Sequence, residues 1–451
     1  MTSAKRLGVG LLLLTSLLAV SEPAAAFPAF ARKYGLPCSA CHEAWPKLNT
    51  FGQTFKDNGY QLNNERDAPI FQQPAYWPVA MRITPHWRFL SGGNTTVDSV
   101  PGDGLSPSVE QTINSHGFDL SGIDILSGGT LAKNISFLLV PTMDGSDGTV
   151  GIESANVRLD NLWGSPWINF KLGKFELDNP LSEKRGFTLS DAGGAYQLYH
   201  YVPFSGPATV TDINFTSQGD NQLGVELSGH SDDDHTRYAA ALMSSGDGTL
   251  GLPTGRTYSG YVHVSQGFMV PRWGLQRVGA YSFVGLEPTY FLTSGGEPIA
   301  GAGRGNRSFY RIGVYGSLYL GKFDLTGVYQ RSLDNVFLAT ATPAGSILPT
   351  GAHSPTWNTG TFEGHYTYSP QLIVFGRYEL VRMSQQIFDT NPDDFGNLDV
   401  FTIGYRYYPF MHSRAGLAWH QEFSTLNSKG TSGTGQDQRT SSYFMGFDFA
   451  F

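Results

Sequence analysis

Two cysteines and a histidine lie close together near the start of the 451-residue chain, in Cys38-Ser39-Ala40-Cys41-His42. Two thiols at this spacing can add to the two vinyl groups of haem, and the adjacent imidazole can then reach the iron as its proximal ligand. The chain has 2 cysteines in all, so none is left for a disulfide framework. The motif therefore predicts one covalent haem c bound by Cys38, Cys41 and His42.

Three other chemistries use similar cysteines. A Cys-x-x-Cys redox site is expected at a helix start within a βαβ pattern, which the surrounding sequence lacks. A zinc site needs two further Cys or His ligands, and none occurs within about forty residues after the motif. A disulfide between Cys38 and Cys41 would close a very short loop and stabilise little. Covalent haem agrees best with every position of the motif.

The second axial ligand of the iron is less evident. After His42, the next methionine is Met81 and the next histidine is His86. Either could ligate if the haem lies near the predicted strand that contains both, and a thioether would raise the potential relative to a second imidazole. Met81 is equally explained as a packing residue and His86 as an interfacial one. Both are weak candidates.

The elements that position this motif begin with an export signal in residues 1–26. Lys5 and Arg6 form a basic start, Leu7–Val20 is a short apolar run, and Ala24–Ala26 offers a cleavage site, so the mature chain would begin near Phe27. No later run reaches the roughly 20 continuous apolar residues of a transmembrane helix. We therefore expect a periplasmic, outer-membrane or extracellular protein.

Composition and charge exclude some classes of partner and favour β-structure. The net charge is −8 and no long basic run occurs, which argues against nucleic acid as a partner. Charged residues make up 15% of the chain, aromatic residues 13%, and Gly occurs 55 times. Few charges with many glycines and aromatics are typical of β-structure rather than of a cytosolic enzyme.

From about Met81 onward, apolar and polar residues alternate in short runs separated by turn residues, which predicts strands. About sixteen runs of roughly ten residues can be marked, a number and length typical of outer-membrane barrels. A soluble β-sandwich would alternate too. The final run favours the membrane barrel, because aromatic and apolar residues alternate to the last position: Tyr443, Met445, Phe447, Phe449 and Phe451.

The predicted fold is therefore all-β: an outer-membrane antiparallel β-barrel of about 16 strands, preceded by a short α-helical segment that carries the haem motif. The barrel must close, because an open sheet edge in hydrocarbon would leave backbone groups unpaired. The stretch Asp178–Pro207 reads as a long connection, folded inward or external. Charged strand residues are expected in a polar lumen: Glu226, Arg377, Glu379, Arg406 and Glu422.

The residues around the motif resemble the N-terminal segment of the fused outer-membrane monohaem cytochrome–porins. The resemblance covers about 35 residues and implies a minimal cytochrome segment in residues 27–78 and a porin-like barrel in residues 79–451. Phe51, Phe55 and Tyr60 would then cover the porphyrin edge or simply pack in the core. The matching residues are Pro28–Arg32, Gly35, Cys38–His42, Pro46–Leu48, Phe51–Gly52, Phe55–Lys56 and Asn58–Tyr60.

This family includes the outer-membrane ferrous-iron oxidases of Gram-negative bacteria. The resemblance implies transfer of electrons from an extracellular donor, Fe(II) first, through the haem to a periplasmic carrier such as a soluble cytochrome, hence an Fe(II):cytochrome c oxidoreductase. Two alternatives stay open, a porin with a structural haem and an electron conduit for another donor or acceptor. The acidic run Asp232–His235 has ligand types that suit a divalent cation, although such runs are usually solvated loops.

Overall fold

The fold is described from a computed structural model of the chain. The described residues are 29–44, 47–63, 67–72, 78–98, 108–145, 148–180, 218–219, 221–244, 258–288, 291–292, 298–299, 306–334, 354–383, 396–409, 416–430 and 436–450. The signal peptide predicted in residues 1–26 and the terminal Phe451 lie outside them.

In its described part, the short segment that precedes the barrel has three α-helices. Helix α1 spans Ala29–Tyr34, α2 spans Cys38–Cys41 and α3 spans Thr50–Asp57. Two short strands, His42–Ala44 and Lys47–Leu48, pair between α2 and α3. Single 3-10 turns lie at Ile70–Gln72 and Leu162–Gly164, and Phe291–Leu292 pairs with Pro298–Ile299.

The rest of the described chain forms sixteen barrel strands, β1 to β16 in chain order. Their bounds are Val79–Asp98, Ser108–Ala132, Ile135–Met143, Val150–Leu159, Asn169–Phe175, Gln222–His230, Thr236–Met243, Ser259–Val270, Gly274–Pro288, Asn306–Leu320, Phe323–Leu333, Thr356–Ser369, Leu372–Met383, Leu398–Tyr407, Gly416–Ser428 and Gln438–Ala450.

The barrel is closed and antiparallel throughout. Each strand pairs with its neighbours in the chain, and β16 pairs with β1 through Phe444↔Arg88 and Ala450↔Arg82. Closure gives every strand two neighbours, which satisfies the backbone hydrogen bonds that an open edge would leave unpaired in lipid. The predicted fold class and strand number are confirmed.

Side chains alternate between a lumen face and an outer face, because successive residues of a strand point to opposite sides. In β13, Phe375 and Arg377 are buried inside, whereas Val374 and Tyr378 are exposed outside. The last strand behaves as predicted, with Phe447 exposed on the outer face and Asp448 buried. The apolar outer face is typical of lipid contact and places the protein in the outer membrane.

No helix in the part of the chain that the structure describes is long and apolar enough to span a membrane.

The lumen is polar, as the charged strand residues predicted. Arg377 Nε lies 3.0 Å from Glu379 Oε2, Arg406 Nη1 lies 3.2 Å from Asp448 Oδ2, and all four side chains are buried. Glu226 pairs with Lys171, and Glu422 with His420. Lys171–Glu226 joins the neighbouring strands β5 and β6 and Arg406–Asp448 joins β14 to β16, whereas the other two pairs each lie within one strand. Removing one partner of a buried ion pair leaves an uncompensated charge.

Aromatic rings on the lumen face cover glycines of the paired strand. Tyr315 lies over its register partner Gly279, and Tyr281 lies over its partner Gly313. A Cβ at either glycine would collide with the ring. The missing side chain thus lets a large ring lie flat against the wall, where it fills the lumen.

The two ends of the barrel differ in their connections. At one end the turns are short: Lys133 and Asn134 join β2 to β3, and Gly321 and Lys322 join β10 to β11. At the other end, residues 334–355 join β11 to β12 and residues 176–221 join β5 to β6. Short turns face the periplasm in outer-membrane barrels. The end that carries Val79 and Ala450 is therefore the periplasmic end.

The connection predicted at Asp178–Pro207 folds inward over its described part. Asn179 is buried and accepts a hydrogen bond from Tyr261 Oη at 2.7 Å, and Asp178 lies 3.0 Å from His263 Nδ1 in the lumen. The remainder of that connection lies outside the described residues.

Candidate functional site

The helical segment lies inside the periplasmic end of the barrel. Arg158, on the lumen face of β4, donates hydrogen bonds to the carbonyl oxygens of Lys56 (2.6 Å) and Asp57 (2.8 Å) in the last turn of α3. Asp57 also pairs with Arg237 Nη1 at 2.7 Å. A guanidinium group at a helix C-terminus satisfies carbonyls that lack intrahelical partners, so the barrel wall itself caps α3.

The haem motif begins where the chain leaves α1 through a glycine turn. Gly35 has a φ of 66°, and Leu36 N–H donates to Ala31 O at 3.2 Å across it. This is the left-handed C-terminal turn that favours glycine. Pro37 then precedes α2, and His42 leaves it in extended conformation. The turn directs Cys38, Cys41 and His42 back toward α1.

Asn49 connects the motif helix to α3. Its side-chain oxygen accepts from Gly52 N–H at 2.9 Å, which caps α3, and its side-chain amide donates to Ala40 O at 3.0 Å. Its backbone N–H donates to Cys41 O at 2.9 Å. One residue therefore both starts α3 and holds the carbonyl end of α2.

Gly52 allows α3 to approach α2 this closely. A Cβ at position 52 would collide with Cys41 O, and it would lie 3.0 Å from Leu48 Cδ2. Gly52 has no left-handed backbone requirement, so close packing alone accounts for the glycine. Phe51, its neighbour, points away and is exposed.

Cys38, Cys41 and His42 line one apolar cavity of about 230 Å³ between the segment and the barrel wall. The segment contributes faces of α1 and α3. On the barrel side, the otherwise polar lumen presents small and apolar residues from β1, β2, β3 and β16, namely Ala80, Leu126, Gly128, Leu138 and Ala450. The barrel thus supplies the wall that so short a segment cannot build for itself.

An aromatic cluster closes one side of the cavity. Phe30 stacks on Tyr60 with ring centroids 4.6 Å apart, and Tyr34 meets Phe55 edge to face at 5.2 Å. Tyr34 is buried and donates a hydrogen bond from Oη to Tyr60 O at 2.7 Å. Phe55 and Tyr60 line the cavity as expected, whereas Phe51 does not.

The donor set fits a covalent haem. Both cysteines are free thiols, and both face the cavity beside His42. Burial raises the pKa of the Cys38 thiol and raises that of Cys41 to about 11, unlike the lowered values of dithiol redox sites. The volume is below the roughly 300–1,000 Å³ of most ligand pockets, so seating a tetrapyrrole requires the surrounding aromatic side chains to move apart.

The structure does not bring Met81 or His86 to this cavity. Met81 is paired with Ile125 and shares its outer face, while the neighbouring Ala80 faces the cavity. His86 faces the lumen, where its ring stacks on Phe444 at 4.3 Å and Nδ1 lies 3.0 Å from Thr84 O. It is six residues beyond Ala80 on β1, a rise of about 20 Å along a strand.

A second, polar cavity of about 430 Å³ lies between the segment and strands β8 to β12. Four carboxylates line it, from Asp178, Asp234, Asp324 and Glu363, against two guanidinium groups, from Arg237 and Arg277. His365 Nε2 lies 2.7 Å from Glu363 Oε1. Leu48 borders both this polar chamber and the apolar cavity, so the two lie next to each other.

The acidic run Asp232–His235 forms the turn between β6 and β7 at the periplasmic end. Asp234 is buried against Arg237 and Arg277, and Asp233 accepts from Ser231 Oγ at 2.5 Å. Among the described residues, no group of three His, Cys, Asp or Glu side chains is arranged to hold a metal ion.

The short segment led us to expect the barrel mouth or lumen as the wall of the haem site, but sequence reasoning missed which barrel residues form that wall and the role of Asn49. An asparagine directly before a helix, as in Asn49-Thr50, is a capping signal that could have been recognised. The wall residues carry no such signal, because Ala80 and Ala450 are neighbours only through closure of β16 on β1.

No known protein family profile matches the sequence, and no curated protein matches it either. Solved structures similar to this chain include outer-membrane proteins and a porin. OmpT of Vibrio cholerae has 11% identity over 83% of this chain and 98% of its own, with a TM-score of 0.45. The anion-selective porin from Comamonas acidovorans has 13% identity over 83% and 98%, with a TM-score of 0.49.

The outer-membrane channel DcaP of Acinetobacter baumannii has 11% identity over 82% of this chain and 97% of its own, with a TM-score of 0.47. Because these identities are low, the fold of this chain is established by its own strand pairing and barrel closure rather than by the similar structures.

Proposed function

We propose that the protein is an outer-membrane cytochrome–porin that passes electrons through one covalent haem to a periplasmic carrier. The observation that carries the proposal is the convergence of Cys38, Cys41 and His42 on one apolar cavity at the periplasmic mouth of the barrel. Cys38 and Cys41 would form the thioether links and His42 would ligate the iron. Bound there, the group would supply a one-electron couple.

The chain's own residues would position the haem and exclude water from it. Asn49 and Gly52 hold the motif helix against α3, and Arg158 holds α3 against the wall. Leu126 and Leu138 present hydrocarbon rather than water to the cavity. Low polarity around a redox centre is one of the few means by which a protein tunes its potential.

The polar chamber supports a cationic donor such as Fe(II). Among the described residues that line it, carboxylates outnumber guanidinium groups, and an excess of one charge sign in a cleft raises the local concentration of oppositely charged solutes. A small cation in the chamber would lie next to the apolar cavity. On this proposal the protein acts as an Fe(II):cytochrome c oxidoreductase, with a soluble cytochrome as acceptor.

The test is the anaerobic reduction of the purified holoprotein by Fe(II), followed in the visible spectrum. We expect Fe(II) to reduce the haem, and Glu363→Gln together with Asp324→Asn to slow that reduction several-fold. Asp399→Asn, on the outer face, is the matched control and should react as the native protein does. A haem that dithionite reduces but Fe(II) leaves oxidised would remove iron as the donor.

A second candidate is a porin whose haem is structural. The porin-like barrel and the polar 430 Å³ chamber beside the segment favour it, because the chamber is space in the lumen that the helices do not fill. Planar-bilayer recordings discriminate the two functions. Steady conductance of small ions by a holoprotein that exchanges electrons with no carrier would favour the porin, and electron exchange without conductance would favour the conduit.

A further inference from the structure

A shallow depression of about 410 Å³ lies on the outer face of strands β10 to β13. Its floor is backbone, at Gly316, Gly327 and Gly360 on three adjacent strands. Gly316 and Gly327 are direct register partners. Apolar and aromatic side chains stand around this floor, namely Val314, Tyr329, Phe362 and Tyr378. The depression is therefore a groove in the lipid-facing wall.

The barrel's own packing does not require these glycines. A Cβ at Gly316 would come no closer than 3.9 Å to Arg277 O, and one at Gly327 no closer than 3.8 Å to Phe362 Cδ2. On the lumen side, by contrast, a Cβ at Gly279 or Gly313 would collide with a tyrosine ring. Glycine inside a strand lowers stability and often marks a bulge, a tight bend, or close approach by a ligand or another backbone. The open floor thus indicates space for a ligand.

A polar row borders the groove at its extracellular end. Arg331, Asn358 and Arg382 are register partners across β11, β12 and β13. Arg331 Nη1 donates to Asn358 Oδ1 at 3.2 Å, and Tyr329 Oη donates to the same oxygen at 2.8 Å. Arg382 Nη2 donates to Asp399 Oδ1 at 2.6 Å. Two guanidinium groups therefore stand above an apolar groove, and that of Arg382 pairs with the carboxylate of Asp399.

We propose that this groove binds an anionic acylated lipid of the outer leaflet, with its phosphate at Arg331 and Arg382 and an acyl chain over the glycine floor. The row lies at the end with long connections, the extracellular end of the barrel, so it meets the outer leaflet. Guanidinium groups bind phosphate with two parallel hydrogen bonds. The glycine floor lies on the membrane side of this row, with Gly327 four residues from Arg331 along β11, where the acyl chains of such a lipid would lie.

The experiment uses the full haem-loaded protein, stripped of native lipid in detergent. Binding of a phosphorylated hexa-acylated glycolipid is measured by native mass spectrometry, beside the same glycolipid without phosphate. We expect the phosphorylated form to bind more tightly. Arg331→Gln should weaken it about fivefold, the usual contribution of one basic residue at a charged lipid surface. Gly327→Leu, which fills the floor, should weaken both forms.

Two matched controls lie elsewhere on the outer face, at the same end of the barrel. Arg439→Gln removes an arginine whose Nε donates to Thr425 Oγ1, and Gly260→Leu fills an open glycine position on β8. Neither should change lipid binding. Equal binding of both glycolipid forms, or equal effects of controls and groove variants, would overturn the proposal. So would loss of an oligomer in Gly327→Leu with lipid binding intact, because the groove would then be a subunit interface.

Discussion

At the scale of single residues, the site depends on side chains that hold the haem motif as much as on the motif itself. Asn49 caps α3 through its side-chain oxygen, and its side-chain amide and backbone N–H donate to carbonyl oxygens of α2, at Ser39, Ala40 and Cys41. Its position between the two helices makes it a positioning residue for Cys41 and His42.

Replacing Asn49 separates these two roles. Asn49→Ala removes the cap and the amide donor, and we expect a loss of about 1 kcal/mol or more in segment stability with reduced haem incorporation. Asn49→Asp keeps the capping oxygen but loses the side-chain amide that donates to Ala40 O. Its haem content should therefore lie between that of the native protein and that of Asn49→Ala. Haem per chain, measured by absorbance against protein mass, distinguishes them. Thr50→Ala, at an exposed position of the same helix, is the control.

The residue types of the motif could be read from the sequence because Cys-x-x-Cys-His has a chemical meaning at fixed spacing. The wall of Ala80, Leu126 and Leu138 could not, because small apolar residues are common in every strand. The two weak candidates for the second axial ligand show the opposite case, in which the sequence pattern held information that was not used. Met81 is in phase with Trp87 of the outer face, and strand period alone could have separated it from the lumen-facing positions.

At the scale of elements, two paired strands fit together because an aromatic ring on one lies over a glycine of the other. Tyr281 on Gly313 and Tyr315 on Gly279 link β9 to β10 on the lumen face. The sequence predicts the strands through their two-residue period, but it does not give the register, and register determines which ring meets which glycine.

Adding a methyl group tests this pairing. Gly313→Ala forces the Tyr281 ring from its place, and overpacking of this kind costs about 1–3 kcal/mol. Gly376→Ala is the matched control, since a Cβ there would lie 3.9 Å from Thr402 O. Unfolding in urea, followed by heat-modifiable mobility on gels, should show the loss in the first variant only. Equal stability of the two variants would mean that the ring packing contributes nothing.

The helical segment is held in the barrel by groups of the wall. Arg158 donates to two carbonyls of α3, and Lys33 of α1 donates to Thr130 Oγ1 of β2 at 3.0 Å. Arg158→Gln should therefore loosen α3 and expose the segment to limited trypsin digestion while the barrel stays folded. Arg439→Gln, on the outer face, should digest as the native protein does. If trypsin does not cleave the segment in Arg158→Gln, then contacts other than those of Arg158 hold the segment in the barrel.

At the scale of the whole molecule, the outer and lumen faces follow from alternation, which the sequence carries in every strand. The strand number and the closed barrel were predictable for that reason. The location of the segment was not, because its contacts with β4 and β7 join positions about a hundred or more residues apart.

A charged side chain on the lipid-facing surface should destabilise the barrel by an amount that depends on its depth in the membrane. Ile403 lies in the middle of β14 on the outer face, and Ile403→Arg should destabilise the barrel by about 2–4 kcal/mol. Asn427→Arg, near the extracellular end of β15, should cost about 0–1 kcal/mol. Reversible unfolding from lipid vesicles measures both. Equal costs would contradict the assigned position of the membrane.

The most direct test of the proposed function is whether the chain, made with haem-maturation machinery, carries haem covalently on its Cys38–His42 peptide. We expect one haem per chain by alkaline pyridine spectroscopy, a tryptic peptide that contains Cys38 and Cys41 with the added mass, and loss of both in Cys38→Ala/Cys41→Ala while the barrel folds. A folded barrel whose two cysteines are recovered as unmodified thiols would contradict it.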